Sequence, residues 1–151
     1  MGGIAFPGAG TCGRHGKDEI VPYWRLFYHL VWATKQRQPL IGEAEERAIR
    51  RSAMMTIGDL AALPGAIGMM PDHVHLIVGV TPTLALADVV KRLKGSSSRA
   101  VNTLPAWHGK QPAFAWQAEY GAHSVGERGL ETAIAYVLEQ KERHAARAIY
   151  P

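Results

Sequence analysis

The sequence predicts a domain in which strands and helices are interleaved, and three observations carry that expectation. Trp24, Leu26, Tyr28, Leu30 and Trp32 alternate along one stretch, the period-two signal of a strand that buries one face. Val74, Leu76, Val78 and Val80 repeat the signal further on. Leu86, Val89, Val90, Leu93, Ala100 and Val101 recur instead at helical spacing.

A chain of 151 residues is long enough for one domain with a real core. Lys+Arg 17 against Asp+Glu 13 gives a net charge of +4, and the pI is about 9.4. That excess allows a nucleic-acid partner without requiring one. Cys12 is the only cysteine, which rules out an internal disulfide and fits a reducing compartment. No apolar run approaches the roughly 18–20 residues of a membrane helix. The first residues lack the charged start and apolar run of a signal peptide. The expectation is a soluble, cytoplasmic protein with no membrane partner.

Taken in order, residues 1–20 are Gly-rich and aperiodic and read as a flexible leader to a single domain over 21–151. Tyr23 to Thr34 is the first strand, with Arg25 and His29 opposite its apolar face, His29 as a hydrogen-bonded sheet residue rather than a neighbour of a metal site. Lys35-Gln36-Arg37-Gln38-Pro39 is a basic loop, a solvated turn or a phosphate contact. Glu43 to about Gly58 reads as a helix, with Glu43, Glu45 and Glu46 where the macrodipole favours them and Ala44, Ala48 and Met55 on the apolar side. Leu60 to Met70 runs into a strand expected to pair with the next one.

Met70-Pro71-Asp72-His73-Val74-His75-Leu76-Ile77-Val78 then reads as a turn and a strand. His73 and His75 point the same way, roughly 6.5–7 Å apart along the chain. Paired imidazoles suit Mn²⁺, Ni²⁺ or Zn²⁺, and Mg²⁺ when oxygen ligands complete the shell. Two ligands are too few, so a third must come from elsewhere.

A helix follows from about Leu84 to Val101, with Lys91, Arg92, Lys94 and Arg99 off its apolar face. Gly95-Ser96-Ser97-Ser98 is a poor helix former at its middle. Small hydroxyl residues among basic ones can let a backbone approach phosphates. Asn102 to Pro112 is a loop. Phe114 to Val125 reads as a strand broken at Gly121, with Trp107, Trp116 and Tyr120 as core residues or base-stacking platforms and His123 as a structural residue, a ligand or a phosphate contact.

The last helix runs from Glu127 to about Ala148 and buries Leu130, Ile134, Val137 and Leu138. Tyr136, Gln140, Arg143 and Arg147 share one edge of it. This edge and the histidine strand explain each other. A metal held by His73 and His75 can take the Gln140 side-chain oxygen as third ligand. Tyr136, one turn away, is then a nucleophile beside a bound phosphate, and the product is a phosphotyrosine. Arg143 and Arg147 are candidate holders of flanking phosphates.

At these residues the chain resembles a known family. His73-Val74-His75 is an HUH motif, in which U is apolar. With a tyrosine on a late helix and Gln140 four residues on, it resembles the single-tyrosine HUH transposases of small bacterial insertion sequences (the insertion-sequence-200/605 type, including the REP-associated tyrosine transposases). The similarity runs from about Tyr23 to His144. Tyr28-His29-Leu30-Val31-Trp32-Ala33-Thr34-Lys35 is similar to the family's opening strand, and Met70 through Leu76 to its metal strand. Leu93-Lys94-Gly95-Ser96-Ser97-Ser98-Arg99 resembles its DNA-contacting helix, and Trp116-Gln117 through His123-Ser124-Val125 the stretch before the tyrosine helix.

The resemblance implies an α+β, ferredoxin-like fold, with an antiparallel sheet and helices packed on one face. It implies a metal-dependent transposase that cuts and rejoins single-stranded DNA through a 5′-phosphotyrosine. The nucleophile is Tyr136, and His73, His75 and Gln140 bind Mg²⁺ or Mn²⁺. DNA contacts are expected from Lys35, Arg37, Lys91, Arg92, Lys94, Ser97, Arg99, Arg143 and Arg147. The implied partners are single-stranded DNA with hairpin ends and a second copy in a homodimer. The rival within the same fold is an inactive or host-recruited protein that binds such DNA without cutting it.

Overall fold

The computed structural model describes residues 24–142. The leader over 1–20, Tyr23 and the expected helix beyond residue 142, with Arg143 and Arg147, lie outside the described residues. Four strands form one antiparallel sheet: β1 Phe27–Ala33, β2 Leu63–Met70, β3 His73–Gly79 and β4 Gly121–Val125. Their order across the sheet is β2-β3-β1-β4, so the first strand sits inside and the last closes an edge. α1 Glu43–Asp59 connects β1 to β2, and α2 Leu86–Asn102 connects β3 to β4. This is the ferredoxin-like α+β arrangement. No helix of the described residues is long and apolar enough to cross a membrane.

One face of the sheet carries the main core. Leu30 and Trp32 from β1 and Val74, Leu76 and Val78 from β3 are all buried there, with Val80 just past the strand end. They face Ile49, Ala53 and Ile57 of α1, a four-residue repeat, and Val89, Val90, Leu93 and Val101 of α2. The two helices touch where the Thr56 and Ser96 hydroxyls bond at 2.8 Å. α1 starts as its sequence predicts, the Glu45 carboxylate accepting from the Gly42 N–H at 3.0 Å.

Several local expectations change. Leu26 is exposed and β1 begins at Phe27, although the Leu26 carbonyl still accepts from the Val80 N–H at 2.9 Å. Met55 projects into solvent at the edge of α1. α2 runs unbroken through Gly95–Ser98, where Ser96, Ser97 and Ser98 return their hydroxyls to carbonyls one turn back. Phe114 to Tyr120 is a loop, joined to Thr34 only through Trp116. Its aromatics alternate because they fill a ring cluster: Phe114 meets Trp107 and Trp116 edge-on, and Trp116 meets Trp32. Asn102 pins the loop by bonding both the N–H and the carbonyl of Phe114.

The opposite face is covered by α3, Leu130–Leu138. α1 and α2 thus share one face as expected, while α3 lies alone across the other. Val137 is buried there against Ala66 and Ile77, with Leu130, Ala133 and Ile134 around them. The approach is close because β2 has glycine where the helix crosses. A Cβ on Gly68 would stand 2.3 Å from the Val137 carbonyl oxygen, a contact no real side chain makes. Gly68→Ala is therefore expected to lower stability by about 1–3 kcal/mol through overpacking. Denaturant unfolding measures this, and an unchanged midpoint would mean that α3 does not sit at this depth.

Candidate active site

The sheet register determines which side chains meet beneath α3. Gly68, His75, Val31 and Gly121 lie side by side across the four strands, and Ala66, Ile77, His29 and His123 form the neighbouring row. Met70, His73 and Ala33 make the row on the other side. Small residues at the sheet margins leave the histidines as the bulk of this face. The result is a run of imidazoles over three strands. Ring centroids are 5.0 Å apart for His73 and His75, 5.1 Å for His75 and His29, and 6.3 Å for His29 and His123.

The expected metal pair and the expected nucleophile come together. The Tyr136 ring stands edge-on, 6.1 Å from His75 and 6.1 Å from His29. Tyr136 is 40% exposed, whereas Gln140 is 2% exposed. The helix turns at Glu139 between them, so one residue faces the open side and the other is enclosed. His29 and His123 join the site as well. Register, which a single sequence does not display, brings them there.

Hydrogen bonds hold the histidines. His73 Nδ1 bonds Asp72 Oδ1, and Arg37 grips the other carboxylate oxygen of Asp72 at 3.1 Å. His75 Nδ1 and His29 Nε2 are 2.9 Å apart. Burial, then the charge of His123, holds the His29 imidazole below its ordinary 6.5, so it stays neutral where a free histidine would begin to charge. Burial pushes Asp72 up, but the bonds and charges of His73 and Arg37 outweigh it and leave the carboxyl below its ordinary 3.8.

The expected DNA-contacting residues divide. Lys35, Lys91, Arg92 and Arg99 are exposed. Arg37, also exposed, is committed to Asp72. Ser97 is fully buried and cannot reach a phosphate. Its hydroxyl donates to the Leu93 carbonyl at 2.7 Å and accepts from the Trp116 indole at 3.0 Å. The signal was available: Val89, Leu93, Ser97 and Val101 lie four apart on the buried stripe. Lys94 is spent inside the molecule too, donating to the carbonyls of Gln117, Ala118 and Glu119. Trp107 and Trp116 belong to the core, and Trp107 also donates to Glu45 at 2.8 Å, whereas Tyr120 is exposed.

Beyond Gln140 the helix is tied around the edge of β2. Lys141 bonds the Glu46 carboxylate of α1, which also holds Arg50 at 3.1 Å. Arg50 in turn donates to the Ile67 carbonyl of β2 at 3.2 Å. Burial raises the Glu46 carboxyl, but its bonds to Lys141 and Arg50 win and hold it below its ordinary 4.5. A carboxyl lowered by folding contributes fully above its unfolded value and loses that contribution as pH falls through the folded one. Wild type should therefore lose stability more steeply than Glu46→Gln below pH 4.5. Thermal unfolding across pH reads this, and parallel curves would count against the clamp.

Among the described residues no three His, Cys, Asp or Glu side chains are grouped to hold a metal. A metal held by His73 and His75 would need a third ligand from another residue type, and the amide of Gln140 has suitable chemistry. The chain also has relatives. A solved structure assigned as a transposase of Deinococcus radiodurans R1 superimposes with a TM-score of 0.60 at 29% identity, covering 83% of this chain and 98% of that one. A REP-associated tyrosine transposase bound to a REP hairpin shares the fold, with a TM-score of 0.59 at 15% identity over 89% of each chain. The ISDra2 transposase TnpA of Deinococcus radiodurans is 41% identical over 81 residues, 50% of this chain. The match covers 54% of that relative, about half its length. Residues 22–140 match the family model described as IS200-like transposase, and the chain belongs to that family.

Proposed function

We propose that the chain is a metal-dependent transposase that cuts and rejoins single-stranded DNA through a 5′-phosphotyrosine on Tyr136. The observation that carries this reading is the Tyr136 ring at 6.1 Å from His75, over the paired histidines. His73, His75 and Gln140 would hold Mg²⁺ or Mn²⁺. When bound, the metal supplies positive charge to a phosphate oxygen and lowers the cost of attack. Tyr136 supplies the nucleophile. Its phenol oxygen bonds phosphorus and gives up its proton, while the bond from phosphorus to the 3′ oxygen breaks and that oxygen is protonated. The phosphotyrosine conserves the energy of the diester, so a second 3′-hydroxyl can reverse the step and join new ends without a nucleotide cofactor. Exposure of Tyr136 at the open side of α3 suits a strand that must enter and leave.

Single-stranded DNA with a hairpin is the proposed partner, in line with the hairpin complex of the structural relative. The proposed working form is a homodimer, and the proposed compartment the cytoplasm. Lys35, Lys91, Arg92 and Arg99 are the exposed cations proposed to meet phosphates, with Arg143 and Arg147 beyond the described residues. Replacing Lys91 and Arg92 with Ala should reduce the slope of log affinity against log salt by about 1 per residue. Ser97→Ala, inside the helix, should leave that slope alone. Salt titrations of single-strand binding compare them, and a slope unmoved in the double variant would remove α2 from the interface.

The central test captures the intermediate. Protein is mixed with labelled single-stranded hairpin DNA and Mn²⁺, then denatured. Wild type should carry DNA covalently, and Tyr136→Phe, His75→Ala and chelator-treated samples should not. An adduct that survives in Tyr136→Phe would move the nucleophile elsewhere, to the exposed Tyr120 first. Tight binding by every sample with no adduct in any would favour the non-cutting hairpin-binding protein.

A further inference from the structure

We infer that His29 is a positioning residue that fixes which nitrogen of His75 faces the metal, as Asp72 does for His73. The inference rests on the reading of His73 and His75 as metal ligands. A neutral imidazole has one N–H and one lone pair, and a metal takes the lone pair. The hydrogen bond at the other nitrogen therefore decides which one ligates.

For His73 the chemistry leaves one answer. Its Nδ1 meets Oδ1 of Asp72, and a carboxylate only accepts. The proton is on Nδ1, so the lone pair is on Nε2. Arg37 holds the second carboxylate oxygen and keeps Oδ1 turned to the ring.

For His75 two arrangements fit the 2.9 Å contact with His29 Nε2. If His29 donates, the His75 proton sits on Nε2 and blocks ligation there. If His75 Nδ1 donates, Nε2 carries the lone pair, matching His73. His75 Nδ1 is already engaged by His29, so a metal would meet His75 through Nε2, which must then carry the lone pair. His29 then acts as acceptor, with its own proton on Nδ1. Its place is set by the sheet: His29 lies opposite Ile77 on β1, one step along the face from His75, within diagonal reach across the strand pair. A histidine half-buried in a sheet thus takes the part that aspartate takes for the other ligand.

The test uses Mn²⁺ alone, without DNA, read as free ion by electron paramagnetic resonance. His29→Phe keeps a ring but loses the acceptor and should weaken Mn²⁺ binding 10–100-fold, the range for partners of metal-bound histidines. His29→Gln offers an amide oxygen and should recover most of the loss, which a purely space-filling role would not predict. Equal affinity in wild type and His29→Phe would overturn the inference, as would Gln behaving like Phe. Long-range ¹H–¹⁵N spectra of the unmutated protein test it without relying on a variant's folding. A proton on Nδ1 of His75 is expected, and one on Nε2 would overturn it. Wild type that binds no Mn²⁺ would remove the metal reading itself, and this role with it.

Discussion

Between β2 and α3 there is room for a backbone and nothing more. At Gly68 the strand comes so near the Val137 carbonyl that even a methyl group has no place. Everything on that face of the sheet depends on this spacing. A helix riding higher would lift Tyr136 from the histidines and open the enclosure around Gln140. The docking is also lightly built. Among the described residues its buried cluster has three members, against nineteen in the core on the other face. The ionic tie from Glu46 to Lys141 therefore acts where packing is thin, at the end of the helix where Gln140 sits.

The site face reverses the usual economy of a sheet. Where another protein would bury valines, this one has four histidines on three strands, flanked by Gly68, Ala66 and Gly121. Imidazoles packed this closely repel one another when charged, and burial, then the charge of His123, lowers the pKa of His29 from its ordinary 6.5. A neutral ring keeps a lone pair for hydrogen bonding. The exposed cations Lys91, Arg92 and Arg99 belong to α2, packed on the other face.

Local pattern made much of this readable. Val74, Leu76, Val78 and Val80 declared the core face of β3, and His73 and His75 fell on its other side by simple alternation. The helical repeats of α1 and α2 were legible for the same reason: each buries one stripe. What local pattern could not supply was register. Only strand pairing puts His29 beside His75 and His123 beside His29, and only the loop's ring cluster explains why Phe114 and Trp116 alternate without forming a strand. Chemical type misled at Ser97 and Lys94. A serine and a lysine near other basic residues suggest a phosphate contact, yet both are consumed by the Trp116–Glu119 loop. The spacing of Ser97 with Leu93 and Val101 outweighed its polarity, because its hydroxyl finds two partners inside.

β3 serves both faces at once, which binds folding fidelity to chemistry. Its neighbours on either side read it in a fixed frame, tied at one end by the two-residue turn from Met70 to His73. Shifting that frame by one residue would send His73 and His75 into the apolar layer and turn Val74 and Leu76 toward α3. Two imidazoles would be buried among aliphatic side chains, and the core would lose its central wall. A molecule that mispairs this hairpin therefore forfeits its packing along with the arrangement of its histidines. It would fail to fold rather than persist as a well-formed protein with an altered site.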